Sequence, residues 1–206
     1  YANRNDGVNN GAVPSARGYS FDGVNDYIIS NAPAVTNQLT VSAWVYPTES
    51  ATTSTAKIRG CFIGGFDGMY LGIIDNADPN SSALHWALKA GGIRPYLWTG
   101  SIPTNQWSLL IGTYDGSNIR GYINAILIGT AGLTGNIDIG SSKIWKGTYA
   151  GYTDGNHNWK GFGGDVRIYN RALSAEEINI LYETTNPDSP TKMKMAEDAL
   201  YIQGQF

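Results

Sequence analysis

The sequence has 206 residues, which is enough for one domain with a sizeable core. Only 15% of the residues are charged and the formal net charge is −3, so the chain lacks the basic character that nucleic-acid binding requires. No apolar run approaches the roughly 18 residues of a membrane-spanning helix. The 26 glycines, 13 tyrosines and 6 tryptophans favour a turn-rich β-sandwich with aromatic surfaces.

Strands are predicted in the first quarter of the chain, after a segment without periodicity. Residues 1–18 are rich in Asn, Gly and Ser and predict a surface loop. Residues 19–30 predict two strands joined by a turn at Asp22 and Gly23. Apolar and polar side chains alternate over residues 39–46, which predicts another strand. One face of that strand holds Leu39, Val41, Ala43 and Val45.

The clearest predicted hairpin lies in the middle of the chain and joins residues 107–114 to residues 120–128. The next turn along the chain contains Asn124 and Ala125. A two-residue type I′ turn needs a positive φ at both positions, which an alanine resists. We therefore expect a different turn type or a different register at this point.

The final strand and a short helix are predicted back to back within residues 162–182. Ser174 is a good N-cap, and Glu177 three residues later completes a capping box. Leu173, just before the cap, can form a hydrophobic staple with Ile178. The helix then presents one apolar stripe, which consists of Ile178, Leu181 and Tyr182.

Four segments of the chain resemble laminin-G-like, concanavalin A-like jelly-roll domains. They are YSFDGVNDYI at 19–28, LTVSAWVYP at 39–47, WSLLIGTYDGSNIRGYINA at 107–125 and the closing DVRIYNRALSAEEI at 165–178. The resemblance implies an all-β fold, an antiparallel two-sheet jelly-roll β-sandwich with a short C-terminal helix. It divides the chain into a loop segment at 1–18, the laminin-G-like sandwich at 19–183 and a tail at 184–206.

The resemblance also predicts an incomplete sheet edge. Related domains usually have an apolar strand before the segment that corresponds to Asn9, Asn10 and Gly11, and this sequence starts after it. A vacant edge exposes unpaired backbone groups, so we expect another segment or a neighbouring chain to fill it. One hypothesis assigns residues 200–206 to the edge; the alternative is a mobile C-terminus.

Catalytic motifs are absent from the sequence. Glycoside cleavage needs two carboxylates at a fixed separation, and the E-x-D-x-x-E pattern that the hydrolases of this fold carry does not occur. Most acidic residues lie in predicted turns or in the terminal helix. His85 is interpreted as a structural or surface residue, and the single cysteine, Cys61, as a small core residue.

Calcium is implied by the resemblance, because concanavalin-like domains often hold one calcium ion through loop oxygens. Asp22 in the first turn and Asp165 before the last strand match acidic positions at the two ends of the pattern, and Asp26 is a third oxygen source. The alternative is that Asp22 caps its own turn and that Asp165 pairs with Arg167 or Arg171.

Two aromatic clusters are candidate ligand-binding sites. Aromatic faces contact the apolar side of a sugar ring, and Asn, Asp or backbone groups bind its hydroxyls. One cluster consists of Tyr96 and Trp98. The other lies in the loop of residues 143–160 and comprises Trp145, Tyr149, Tyr152, Asn156 and His157. The alternative is that these rings pack in the core.

The sequence therefore predicts a non-catalytic, lectin-like binding or adhesion module. It would recognise a glycan or another surface as part of a larger extracellular or virion-surface assembly. The alternative is a structural or decoration subunit of a phage particle, a homo-oligomer or a subunit completed by neighbouring chains. The third alternative is a polysaccharide-active enzyme, but the sequence lacks the catalytic residues that such an enzyme needs.

Overall fold

The computed structural model of the protein describes residues 7–32, 34–35, 37–50, 59–65, 68–74, 80–139, 143–147 and 158–188. Within these ranges the chain forms fourteen strands and one helix, α1 (Ala175–Thr185). The strands are β1 (Val8–Asn10), β2 (Val13–Ser15), β3 (Gly18–Asp22), β4 (Tyr27–Asn31), β5 (Leu39–Pro47), β6 (Arg59–Gly65), β7 (Met69–Ile74), β8 (Ser81–Leu88), β9 (Tyr96–Pro103), β10 (Ser108–Tyr114), β11 (Asn118–Ile123), β12 (Ile126–Gly132), β13 (Lys143–Lys146) and β14 (Lys160–Tyr169).

Two antiparallel sheets of seven strands each form a β-sandwich. Sheet A has the order β1-β4-β13-β6-β7-β8-β9, and sheet B has the order β12-β11-β10-β5-β14-β3-β2. Buried apolar side chains from both sheets, such as Val41 of sheet B and Leu84 of sheet A, fill the space between them. These features confirm the predicted all-β, antiparallel two-sheet sandwich with a short C-terminal helix. Among the described residues, no helix is both long and apolar enough to cross a membrane.

Strand β5 is buried on both of its faces, and this fixes the position of α1. The predicted inward face is confirmed, because Leu39, Val41, Ala43 and Val45 all belong to the core between the sheets. Trp44 points to the opposite side and joins a second apolar cluster beneath α1. There its ring stacks on Tyr182 at 5.6 Å, and its Nε1 donates a hydrogen bond to Thr185 Oγ1 at 2.7 Å.

The predicted capping box at the start of α1 is confirmed. Ser174 Oγ accepts a hydrogen bond from the Glu177 amide at 3.2 Å, and the Ser174 amide donates to Glu177 Oε2 at 2.9 Å. Leu173 and Ile178 lie in the same buried cluster, as the staple requires. Glu177 also accepts two hydrogen bonds of 2.7 Å from Arg171, which connects the cap to the end of β14.

The prediction of a loop over residues 1–18 is wrong for two short segments. Strand β1 pairs with β4 at one edge of sheet A, and β2 pairs with β3 at one edge of sheet B. All six side chains of these strands are exposed, so the pairing rests on backbone hydrogen bonds and leaves no apolar periodicity in the sequence. Residues 200–206, which were the other candidate for an edge strand, lie outside the described residues.

The expectation of a different turn at Asn124 and Ala125 is also wrong. Both residues have a positive φ, 51° and 66°, as a type I′ turn requires. Asn124 stabilises the turn, because its Oδ1 accepts a hydrogen bond of 2.8 Å from the Leu109 amide. The Ala125 methyl group packs against the cluster beneath α1, and a β-bulge between Gly121 and Tyr122 adjusts the register of the hairpin.

Candidate ligand-binding face

Four rings gather on the outer face of sheet A. In β8 the side chains of Leu84 and Trp86 point into the core, so the intervening His85 points outward. The His85 ring lies 4.0 Å from the Tyr70 ring of β7, measured between centroids. The same His85 ring lies 5.7 Å from Tyr96 and 5.5 Å from Trp98, both on β9. We call these four residues the aromatic face.

The aromatic face has a buried base and an exposed rim. His85 and Tyr70 are only 1% and 5% exposed, whereas Tyr96 and Trp98 are 44% and 52% exposed. The two exposed rings lie 5.6 Å apart at an interplanar angle of 55°. The guanidinium carbon of Arg94 sits 5.2 Å from the centroid of the Tyr96 ring, at the distance of a cation–π contact.

Strand register explains why these rings meet. Tyr96 and Trp98 are two residues apart on β9, so both side chains leave the sheet on the same side. Trp98 stands directly opposite His85, and Tyr96 stands opposite Ala87, whose small side chain leaves room for the ring. The exposed rings are therefore held by a sheet and by buried neighbours, which limits their rotamers.

The structure places only part of the predicted ligand site. Tyr96 and Trp98 meet as predicted. Trp145 lies in β13, four strand positions from β9 in sheet A, which corresponds to roughly 19 Å. The side chain of Trp145 lies outside the described residues, and so do the remaining loop candidates, which are Tyr149, Tyr152, Asn156 and His157.

Two members of the aromatic face were missed in the sequence. His85 was interpreted as a structural or surface residue, and Tyr70 was not considered. The alternation along β8 places His85 on the other face of the strand from Leu84 and Trp86, and this pattern is visible in the sequence. The contact with Tyr70 depends on the register between β7 and β8, which is fixed only in the folded sheet.

A family model that describes the concanavalin A-like lectin/glucanases superfamily matches residues 22–179, which is more than half of the chain. The chain belongs to this superfamily. No curated protein gives a significant match.

Solved structures with the same concanavalin A-like fold are numerous. Domain 4 of an extracellular arabinanase from Geobacillus stearothermophilus is 20% identical, with a TM-score of 0.60 and coverage of 85% of this chain and 82% of that domain. The binding domain of botulinum neurotoxin serotype D/C is 16% identical, with a TM-score of 0.64 and coverage of 90% and 49%. A structure of botulinum neurotoxin type C is 17% identical, with a TM-score of 0.55 and coverage of 78% and 40%. This chain therefore spans about half, or less, of the two toxin structures.

The three acids of the predicted calcium site lie in two places on this concanavalin A-like fold. Asp22 Oδ1 accepts hydrogen bonds from the Val24 and Asn25 amides at 2.7 and 3.3 Å, and Asp26 Oδ2 accepts one from the Asp22 amide at 2.8 Å. Asp165 instead pairs with Arg167 at 2.7 Å.

Strand register keeps Asp165 away from the other two acids. Strands β3 and β14 are neighbours, but Asp22 stands opposite Lys160, five residues and roughly 16 Å from Asp165. Among the described residues no three His, Cys, Asp or Glu side chains form a potential metal site. Calcium binding stays a prediction, and a melting temperature that neither calcium nor EDTA changes would contradict it.

Five further carboxylates of the described ranges are engaged in ion pairs. The pairs are Arg17–Asp188, Lys89–Asp138, Arg120–Asp115, Lys160–Glu49 and Arg171–Glu177. Burial opposes ionisation of Asp115, but hydrogen bonds from Arg120 and from the Ser117 and Asn118 amides lower its pKa. Hydrogen bonds from Arg171 and the Ser174 amide lower the pKa of Glu177 to about 2. Such carboxylates stay ionised and paired at neutral pH, so they can stabilise the turns and the helix cap in which they lie.

Proposed function

We propose that the protein is a non-catalytic, lectin-like module that binds a glycan on the aromatic face. The observation that carries this proposal is the pair of half-exposed rings, Tyr96 and Trp98, which stand 5.6 Å apart on the open side of sheet A. Most large apolar side chains in the described ranges are buried, so two adjacent exposed rings on one strand form a distinct contact surface.

The physical properties of these rings match those of a sugar. One side of a pyranose or furanose ring carries C–H groups, which pack against the electron-rich face of an aromatic ring. Because buried His85 packs against the two exposed rings, little side-chain entropy is lost when a ligand is bound. Arg94 at the rim carries donors that suit sugar hydroxyl groups.

Structures with the same fold support a glycan as the ligand. The arabinanase domain was solved in complex with arabinotriose, and botulinum neurotoxin type C interacts with two ganglioside molecules. The absence of catalysis is supported by carboxylates of the described ranges that are engaged in ion pairs or accept turn amides, among them Asp22, Asp115 and Glu177. Glycoside hydrolysis needs one carboxylic acid and one carboxylate that confront each other across a bound sugar.

A glycan array tests the proposal directly. We expect the wild type to bind a restricted set of glycans and the double variant Tyr96→Ala/Trp98→Ala to lose that binding without a change in melting temperature. Ile180→Ala is the matched control, since Ile180 is a 51% exposed apolar residue on α1, which covers sheet B. An array without wild-type hits, or hits that the double variant retains, would overturn the proposal.

The edge strands favour a second candidate function, that of an assembly subunit at an extracellular or virion surface. Strands β1 and β2 end their sheets and carry exposed Val8 and Val13, which are 70% and 58% exposed. A neighbouring chain adds a strand most readily at such an edge. Light scattering that shows an oligomer, together with a silent glycan array, would favour this candidate; a monomer that binds glycans would exclude it.

A further inference from the structure

A cavity of about 340 Å³ lies between the two sheets, on the side where β1 and β2 form the edges. Its volume is near the lower end of the roughly 300–1,000 Å³ that is usual for small-molecule sites. The lining comprises Tyr19, Phe21, Ile28, Phe62, Val166 and Lys146, together with three glycines and one asparagine. Aromatic and aliphatic side chains thus surround a single charged group.

Two glycines of the lining lie in close packing contacts. A Cβ atom at Gly163 would overlap the Phe62 ring, and a Cβ atom at Gly7 would approach Ile28 Cγ2 to 2.7 Å. The missing side chain at Gly163 lets β14 of sheet B approach the Phe62 ring of sheet A, and the missing side chain at Gly7 lets the chain before β1 approach β4 within sheet A.

Lys146 is the charged group of the cavity. Ile144, two residues earlier on β13, is buried in the core, so Lys146 also points between the sheets. Burial lowers the pKa of the Lys146 ammonium group. Among the described residues no carboxylate forms an ion pair with Lys146.

A partly buried cation without a counter-ion destabilises a fold, because its desolvation is not offset by an opposite charge. Such groups are expected at functional sites, where a ligand can supply the missing partner. One ammonium group matches one negative charge, so a carboxylate suits the cavity better than a doubly charged phosphate. The rings of Phe21 and Phe62, which meet edge to face at 5.9 Å, would contact the body of the ligand.

The geometry points to a second binding site in this protein, in which Lys146 pairs with the carboxylate of a small organic acid held between the sheets. A uronic acid or an aromatic acid carries this chemistry on a single ring, which suits the volume of the cavity. The hydroxyl group of Tyr19, a 38% exposed residue of the lining, can donate a further hydrogen bond to the acid.

This site is separate from the aromatic face. Lys146 lies on β13 and points between the sheets, whereas Trp98 lies four strand positions away on β9 and on the outer face of sheet A. Its ligand also differs, since the aromatic face holds no buried cation without a partner. The inference therefore stands or fails independently of the proposed glycan function.

Isothermal titration calorimetry with two matched pairs of compounds tests the inference. The pairs are glucuronate with glucose, and phenylacetate with 2-phenylethanol. We expect at least one of the acids to bind the protein and its neutral partner not to bind. Binding of glucuronate alone would identify a sugar acid as the ligand class, and binding of phenylacetate alone would identify an aromatic acid. If neither acid binds better than its neutral partner, the inference is overturned.

Lys146→Met assigns the binding to this cavity. Methionine keeps the length and apolar stem of lysine and removes the charge, so we expect acid binding to weaken by roughly tenfold or more. We also expect a higher melting temperature, which shows that the variant folds. Lys89→Met is the control, because Lys89 pairs with Asp138 outside the cavity. Acid affinity that Lys146→Met leaves unchanged would overturn the inference.

Discussion

Ala125 holds a backbone conformation that residues with a Cβ atom rarely adopt. Its φ of 66° places it in the left-handed region, at the second central position of the β11–β12 turn. Glycine adopts this region without the clash between Cβ and backbone, which costs alanine roughly 1 kcal/mol. The turn is maintained by the hydrogen bond that the Leu109 amide of β10 donates to Asn124 Oδ1 and by the packing of the Ala125 methyl group under α1.

Ala125→Gly should therefore stabilise the protein. We expect the free energy of unfolding to rise by about 0.5–1 kcal/mol, since relief of the left-handed strain exceeds the loss of one methyl contact. Urea denaturation measures the change. Ala131→Gly in β12 is the control, and it should lower the free energy of unfolding because the position is in a strand. A lower stability of Ala125→Gly would mean that methyl packing dominates.

Trp44 is the residue that connects sheet B to α1. Trp44→Phe removes the Nε1 donor and leaves the Thr185 hydroxyl group with one partner fewer in a buried cluster. We expect the free energy of unfolding to fall by about 1–3 kcal/mol. Trp98→Phe is the matched control, because Trp98 is 52% exposed and the change should be near zero. Equal effects of the two substitutions would show that the hydrogen bond to α1 contributes little.

At the scale of the element, α1 depends on its first turn. Ser174→Ala removes the oxygen that accepts the Glu177 amide hydrogen bond, so we expect a loss of about 1 kcal/mol in stability. Circular dichroism during urea denaturation measures this change. Ser174→Asp restores an acceptor at the N-cap and should recover most of the lost stability. If the aspartate variant is no more stable than the alanine variant, the cap is not what stabilises the helix.

The contribution of Glu177 to stability should depend on pH. Hydrogen bonds from Arg171 and the Ser174 amide lower its pKa from 4.5 to about 2 in the folded protein. Because the folded-state pKa is depressed, the stabilisation is present above pH 4.5 and is lost as pH falls toward 2. The melting temperatures of wild type and Glu177→Gln should therefore differ at neutral pH and converge near pH 2.

Glu176→Gln is the control for this experiment. It removes the same charge one residue away in the same helical turn, without the hydrogen bonds that the capping box provides. We expect its difference from the wild type to be smaller than that of Glu177→Gln at neutral pH. A constant difference between wild type and Glu177→Gln over the whole pH range would contradict the assigned pKa.

At the scale of the whole molecule, local patterns in the sequence predicted part of the fold. The alternation of β5 and the capping box at Ser174 and Glu177 involve residues close in the chain, and both are confirmed. The edge strands β1 and β2 could not be predicted, because their polar sequences form strands only when β4 and β3 offer backbone partners.

In the candidate sites, too, features that depend on residues close in the chain could be predicted, and features that depend on strand register could not. Tyr96 and Trp98 could be predicted from their spacing on one strand, but their grouping with His85 and Tyr70 depends on pairing across three strands. Lys146 was missed because its inward direction depends on the bounds of β13, which the glycine-rich sequence after residue 139 does not define. Acids that the family pattern places together, Asp22 and Asp165, are separated by the register of β3 with β14.

The central claim is that ligands are bound by exposed rings on the outer face of sheet A. Nuclear magnetic resonance of the tryptophan indole N–H groups tests it most directly, during titration with a glycan from the array. We expect the Trp98 signal to shift with ligand concentration, while the signals of buried Trp44, Trp86 and Trp159 stay in place. A glycan that binds and leaves the Trp98 signal unchanged would contradict the claim.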